Sequence, residues 1–165
     1  LPDEAFGKGL PARRFHRGRA NNDLGAVLAD AGRLDDARAQ FEAARRTGYD
    51  LSAADNNLAV ILALDDDLPT ARSLLRGIAA PLGVTFFVAN NIGAVEAALG
   101  TTAAARASFD RALEIEPRFE FARKSRNAVD APFKLGLHRI RGYSDPWLLL
   151  ALRTMTRDDE DAPTQ

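Results

Sequence analysis

Three short stretches, each 34 residues after the one before, decide the fold of this chain: Asn22-Asp23-Leu24-Gly25, Asn56-Asn57-Leu58-Ala59 and Asn90-Asn91-Ile92-Gly93. A second set of small and apolar residues keeps the same step further along each unit: Ala37, Ala71 and Ala105, then Phe41, Leu75 and Phe109, then Ala44, Ile78 and Ala112. Self-similarity at a fixed period of this length is the signature of a repeat architecture. The sequence therefore predicts three copies of one structural unit.

Each unit reads as two amphipathic helices joined by a tight turn. In the first unit the apolar residues of each helix recur every three or four positions. The turns fall at Gly32, Asp66 and Gly100. Small residues at fixed positions let two helices approach closely. A helical hairpin of this kind cannot bury both of its faces alone, so the copies are expected to stack into an α-solenoid in which neighbouring units supply each other's core.

The pattern resembles the tetratricopeptide repeat. Unit three carries it most fully, as Ile92-Gly93, Gly100, Ala105, Phe109, Ala112 and Pro117. The resemblance implies an all-α fold, a right-handed solenoid of helix-turn-helix repeats, and a role in protein–protein interaction. Two features depart from the family pattern. Asp66 stands where glycine is usual, and the aromatic residue often found early in the first helix is replaced by Asn21, Asp55 and Ala89.

The predicted organisation has four parts. Residues 1–17 form an N-terminal arm or a partial repeat, and residues 18–119 form the three repeats, at 18–51, 52–85 and 86–119. A capping helix follows at 120–131 and covers the open end of the third unit. Residues 132–165 contain a linker, a short apolar helix and an acidic tail, Asp158-Asp159-Glu160-Asp161, which we expect to be disordered.

One stripe of the first helix in each unit is the candidate binding surface, because in tetratricopeptide proteins the corresponding stripe lines a concave groove. The candidate partner-binding residues are Arg19, Asn22, Asp23, Asn56, Asn57, Val60, Leu64, Phe87, Asn90 and Asn91. A row of asparagine amides offers donors and acceptors to the backbone of a bound peptide. The same amides could instead hydrogen-bond adjacent repeats to one another, and the sequence leaves both interpretations open.

A second candidate lies near the C-terminus, where an apolar run follows Pro146. This run is predicted to form a short helix that begins at Pro146, with Trp147, Leu148, Leu152 and Met155 on one face. Such a helix could pack against the repeats, dock on a partner or occupy the protein's own groove, because an isolated helix with so much exposed apolar area would be a liability.

Composition narrows the function. The 165 residues include 22 basic and 23 acidic side chains, so no global field favours nucleic acid, and no basic row is interleaved with aromatic side chains. The chain has no cysteine and two histidines, and it lacks a metal-spaced ligand set or a glycine-rich phosphate loop. We therefore expect no enzymatic activity, no metal and no cofactor. No run is long enough to span a membrane.

The sequence thus predicts a non-enzymatic scaffold that holds a peptide or helix of a protein partner within a larger assembly. One alternative is an envelope accessory, since the Ala/Leu-rich style of residues 56–64 is similar to repeats in bacterial tight-adherence pilus pilotins. Another is a structural subunit tethered peripherally to a membrane complex by its C-terminal helix. Cytoplasmic and periplasmic or envelope locations both fit, and the sequence fixes neither the oligomeric state nor the partner's identity.

Overall fold

The computed structural model describes residues 12–48, 51–82, 85–130, 133–139 and 147–153. Within these ranges the chain forms seven helices followed by two strands. The helices are α1 (Ala12–Asp30), α2 (Leu34–Thr47), α3 (Leu51–Leu64), α4 (Leu68–Leu82), α5 (Phe86–Ala98), α6 (Thr102–Ile115) and α7 (Glu120–Ala128). The strands are β1 (Phe133–Arg139) and β2 (Trp147–Arg153).

The seven helices pack in adjacent pairs, α1 on α2, α3 on α4 and α5 on α6, with α7 against α6. The α-helical class predicted from the period is confirmed for the described residues between 12 and 130, which contain no strand. The helix predicted after Phe119 is present as α7. Residues 12–17, predicted to belong to an N-terminal arm or a partial repeat, are the first residues of α1; residues 1–11 lie outside the described ranges.

The three turns between paired helices have the same backbone geometry. Gly32, Asp66 and Gly100 have φ values of 75°, 67° and 78°. Each turn closes with the two hydrogen bonds of a Schellman motif, as in Arg33 N to Leu28 O at 2.9 Å and Gly32 N to Ala29 O at 3.0 Å. Asp66 therefore makes the same left-handed turn as the glycines, even though a side chain there is disfavoured.

Each helix pair is held together by a residue of the first helix packed onto an apolar side chain of the second. A Cβ added to Gly25 would lie 2.6 Å from Phe41 Cε1, and one added to Gly93 would lie 2.6 Å from Phe109 Cε1. These glycines are required because the aromatic ring occupies the space of a side chain. In unit two the corresponding residues are Ala59 and Leu75, and both are buried. Ala59 adds a methyl group where the other units have glycine, and Leu75 is smaller than the phenylalanine of the other units.

Helix α7 continues the burial pattern of the first helices. Its fully or nearly fully buried residues lie 34 positions after buried residues of α5. They are Ala122, Ser125, Ala128 and Val129, which correspond to Val88, Asn91, Ala94 and Val95. The helix predicted to cap the third unit therefore occupies the place of a fourth first helix.

The C-terminal helix predicted from Trp147 to Met155 is not observed. Residues 147–153 form strand β2, which pairs antiparallel with β1, for example Leu137 opposite Leu149. A continuous apolar run of this length is compatible with a helix or with a buried strand, and periodicity alone does not separate them. Part of the predicted linker is likewise strand β1, and the acidic tail lies outside the described residues.

Candidate functional site

The candidate partner-binding residues lie on α1, α3 and α5, and together they form what we call the first-helix surface. Their accessibility differs along the chain. Arg19 is exposed and its Nε lies 3.7 Å from Asp23 Oδ2, while Leu64 and Phe87 are half-buried. The other candidates are buried: Asn22, Asn56, Asn57, Val60, Asn90 and Asn91.

The five buried asparagines form one directional chain of hydrogen bonds. Asn90 donates to Asn91 at 3.3 Å, and Asn91 donates to Asn56 at 2.8 Å. Asn56 then donates to Asn57 at 3.3 Å, and Asn57 donates to Asn22 at 3.1 Å. Every step runs from a side-chain Nδ2 to the next Oδ1. The chain crosses from α5 to α3 and from α3 to α1, so it links the three units.

This arrangement favours one of the two interpretations of the amide row. The asparagine side chains hydrogen-bond to one another, and two of these bonds cross from one unit to the next. Their exposed fractions of 0–1% apply with the hairpin in place on α3 and α5. A buried amide without a partner costs about 1–3 kcal/mol, so the hydrogen bonds satisfy a requirement of burial as well as joining the units. The amides therefore act between repeats in this conformation, and the accessible part of the surface is apolar at Leu64 and Phe87 and charged at Arg19 and Asp23.

The β-hairpin lies on the first-helix surface. Strand β2 packs against α3, α5 and α7, and β1 packs against α3 and α5. Val60 and Ala94, in the middle of the predicted stripe on α3 and α5, are fully buried. Trp147, Leu148 and Leu152, predicted to share a helix face, instead lie in β2. Met155 lies outside the described residues.

A cleft of about 490 Å³ remains between the hairpin and the C-terminal ends of α3 and α5. Its walls combine small and aliphatic residues of the first helices with Leu135 of β1. The lining residues are Ala63, Leu64, Asp66, Leu68, Ala97, Ala98, Gly100 and Leu135. Of the predicted partner-binding residues, Leu64 is the one that lines this cleft.

Phe87 belongs to a separate aromatic cluster near the N-terminus of α5. Its ring meets Phe86 edge-on, with centroids 5.6 Å apart. Phe86 in turn meets Phe119, and Phe119 meets Phe121, at 4.9 Å and 5.6 Å. This contact ties the start of α5 to α7, so Phe87 and Leu64 mark different parts of the first-helix surface.

Sequence reasoning missed a buried acid. Glu96, only 2% exposed, stands on α5 where the other units have Leu28 and Leu62. Arg76 of α4 donates to its Oε1 at 2.7 Å, and the hydroxyl of Thr101 donates to its Oε2 at 2.5 Å. The charge is satisfied by residues of two neighbouring segments, so Glu96 holds α5 against α4.

A repeated ion pair was also missed, although its signal is in the sequence. Arg38, Arg72 and Arg106 share one register position on the second helices, with the same 34-residue step. Each contacts a carboxylate near the end of the following first helix. The pairs are Arg38 with Asp65 at 3.7 Å, Arg72 with Glu96 at 3.8 Å, and Arg106 with Asp130.

The carboxyl of Asp55 has a raised pKa. Burial on α3 raises the pKa of this carboxyl above its ordinary value of 3.8, while the neighbouring Arg45 guanidinium acts in the opposite direction. The ion pair between Arg45 and Asp55 joins the end of α2 to the start of α3.

Comparisons with known proteins do not identify this chain. No protein-family model matches it, and no curated protein matches its sequence. In the described residues no cluster of three or more histidines, cysteines or acids is placed to hold a metal ion. None of the described helices is both long and apolar enough to cross a bilayer.

Proposed function

We propose that this chain is a non-enzymatic interaction scaffold of tetratricopeptide-like repeats, stacked as a right-handed α-solenoid. In this proposal the first-helix surface is the concave groove and receives an extended, apolar segment of a partner protein. The alternative of a subunit tethered through a C-terminal helix loses its basis, because the segment that would form that helix is β2.

Contacts that recur with the sequence period support the repeat architecture. The three Schellman turns, the two amide bonds that each join residues 35 apart, and the arginines of the second helices all recur from unit to unit. Stacked copies of one helical hairpin account for all three, because each copy meets its neighbour through the same positions.

The hairpin's place on α3, α5 and α7 is the observation that carries the functional proposal. The surface predicted to bind a partner is covered by extended backbone of the chain itself. A surface that accepts such a segment in cis can accept one of similar chemistry in trans, with apolar side chains entering pockets such as the cleft beside Leu64. The hairpin then serves as a resident ligand that a partner displaces or extends.

A tethered hairpin competes strongly with any partner. A segment joined by a short linker has an effective concentration on the order of millimolar, so an external ligand binds weakly until the hairpin is loosened. Mutations on the two sides of the cleft should therefore act in opposite directions. Damage to the groove weakens partner binding, whereas damage to the hairpin strengthens it.

This contrast defines the experiment. A fluorescent peptide with the sequence of residues 133–153 is titrated into the full chain by anisotropy. Leu64→Lys, on the groove side, should weaken binding, and Leu135→Lys, on the hairpin side, should strengthen it. Ile115→Lys on α6 is a matched control at an exposed apolar residue away from the cleft, and it should leave the affinity unchanged.

Two outcomes would contradict the proposal. If the peptide does not bind even to Leu135→Lys, the groove does not accept extended segments in trans. If Leu64→Lys and Leu135→Lys shift the affinity in the same direction, the hairpin does not compete for this surface.

A further inference from the structure

Helix α1 carries an exposed stripe away from the first-helix surface. The two large apolar residues of this stripe, Leu24 and Val27, are 47% and 48% exposed. Its members follow one another at the three- and four-residue spacing of a single helix face. They are Arg13, Arg17, Ala20, Leu24, Val27 and Ala31, and all are exposed.

The positions that correspond to Ala20, Leu24 and Val27 are buried in the other units, apart from the half-buried Ile92. On α3 the residues 34 positions after Ala20, Leu24 and Val27 are Ala54, Leu58 and Ile61, and all three are buried. On α5, Val88 and Val95 at the same register are also buried. The covering element in each case is the second helix of the preceding unit, since α2 packs against α3 and α4 packs against α5.

The α1 stripe therefore has the form of a receptor for one more helix of the second-helix type. Residues 1–11 do not carry the pattern of a second helix. In the second helices the three buried positions hold an alanine, then an aromatic or aliphatic residue, then an alanine or isoleucine. The residues at the corresponding positions 34 earlier are Asp3, Gly7 and Leu10.

Charge defines the occupant further. Between α2 and α3, cations of the covering helix, Arg38 and Arg45, face the acids Asp65 and Asp55 of the covered helix. The α1 stripe reverses this polarity.

The positions on α1 that correspond to those acids are Ala31 and Asn21. The N-terminal half of the stripe instead holds Arg13 and Arg17, neither of which has an ion-pair partner among the described residues. Since the last turn of α2 meets the first turns of α3, a covering helix on α1 would bring its C-terminal end to these arginines.

We propose that the α1 stripe binds, in trans, an amphipathic helix of another protein that has a small apolar face and carboxylates near its C-terminal end. This contact is separate from the groove, so a partner could bind both surfaces. Leu24 and Val27 supply the apolar contact, and Arg13 and Arg17 set the direction of the bound helix.

The test uses two synthetic peptides and the isotope-labelled full chain. The first peptide has the sequence of residues 34–47 with Arg45→Glu and Arg46→Glu; the second keeps both arginines as a charge control. Short free helices are marginally stable in water, so binding is followed by NMR titration, which detects weak complexes. The acidic peptide should shift the Leu24 and Val27 amides, and it should bind several-fold more tightly than the control at low salt.

Variants of the chain locate the contact. Val27→Asp should weaken the affinity of the chain for the acidic peptide by about tenfold or more. Leu24→Asn, a milder change at an equally exposed site, should weaken it to a smaller extent. Ile115→Asp should leave it unchanged, and all three proteins should keep the parent's melting midpoint because the replaced side chains are exposed.

The proposal is overturned by any of three results. Equal affinity for the two peptides would show that Arg13 and Arg17 do not recognise the carboxylates. Unchanged affinity of Val27→Asp for the acidic peptide would show that Val27 does not contact the bound helix. If sedimentation shows that the chain alone forms a dimer that Val27→Asp converts to monomer, the occupant is a second copy. None of these results depends on the groove, so the proposed function is tested separately.

Discussion

Replacing Asn91 with alanine tests the chain of buried amides at its centre. Asn91 accepts from Asn90 at 3.3 Å and donates to Asn56 at 2.8 Å, and all three side chains are buried. Alanine removes both hydrogen bonds and leaves a buried donor and a buried acceptor that each lose a partner. Each such group costs about 1–3 kcal/mol, and alanine's better helix propensity returns about half a kcal/mol.

Because Asn56 and Asn90 each keep another contact, the expected loss in the free energy of unfolding lies in the lower part of the summed range, at about 2–4 kcal/mol. For a chain of this size, that corresponds to a fall in melting midpoint of roughly 5–15 °C. Circular dichroism at 222 nm as a function of temperature and of urea gives both quantities. Asn127→Ala is the matched control, since Asn127 is an exposed asparagine on α7, and it should change the free energy by less than about 0.5 kcal/mol.

A double-mutant cycle with Asn56→Ala sharpens the test. Removing the donor and the acceptor of one bond together orphans fewer groups than the two single changes added, so the double variant should be more stable than their sum by about 1 kcal/mol or more. If Asn91→Ala melts like Asn127→Ala, or if the two changes are additive, the amides do not hold the units together. The interpretation that they serve a ligand would then regain its place.

Three further perturbations test the packing, the turns and the buried acid. Gly93→Ala should lower the free energy of unfolding by about 1–3 kcal/mol, because the added Cβ would meet the ring of Phe109. In the same denaturation assay Gly77→Ala should raise the free energy of unfolding by about 0.5–1 kcal/mol, because the space around Gly77 is open. Asp66→Gly should increase the free energy of unfolding by about 0.5–1 kcal/mol and so raise the melting midpoint, because φ is positive at this residue. An unchanged or lower midpoint would mean that the turn is not strained. Burial raises the pKa of Asp55, so the folded state holds this proton more tightly than the unfolded state, and stability is lost as the pH rises from about 4 through the raised pKa. Urea denaturation of the parent and of Asp55→Asn across this window should show the parent losing free energy relative to the variant, and parallel profiles would contradict the shift.

The period in the sequence was sufficient to predict the paired helices and their turns. It works because the small and apolar residues at fixed steps, such as Gly25 with Phe41, are the residues that make the helix contacts. The amide row was visible for the same reason. Its role was not, since an asparagine pattern looks alike whether its partner is a ligand or the next repeat. The hydrogen bonds between residues 35 apart distinguish the two.

The hairpin was missed for a physical reason. The run Trp147–Arg153 has no polar alternation, so a helix and a buried strand fit it equally well. A signal did exist in the partner segment, where Phe133, Leu135 and Leu137 alternate with Lys134 and Gly136. That period of two is typical of a strand, and its place beside an apolar run predicts a hairpin.

Glu96 was missed because its position carries leucine in the first two units. Only the structure brings Arg76 and Thr101 to the same carboxylate. The arginines at one register position could have been found from the period, and so could two of their partners, Glu96 and Asp130, which are also 34 residues apart. The third partner, Asp65, lies three residues beyond that register position, so its pairing with Arg38 required the packing of the helices.

The central claim is that the first-helix surface holds extended backbone of the chain itself. Because the chain has no cysteine, two introduced cysteines report on this contact without interference. Ala98 of α5 and Leu135 of β1 line the same cleft, so Ala98→Cys with Leu135→Cys should cross-link efficiently through a short bis-maleimide. Gly77→Cys with Leu135→Cys is the control, since Gly77 lies on α4 outside that cleft. We predict a high yield of the intramolecular cross-link for the first pair and little for the second. Equal yields, or no cross-link between Cys-substituted positions 98 and 135, would contradict the account.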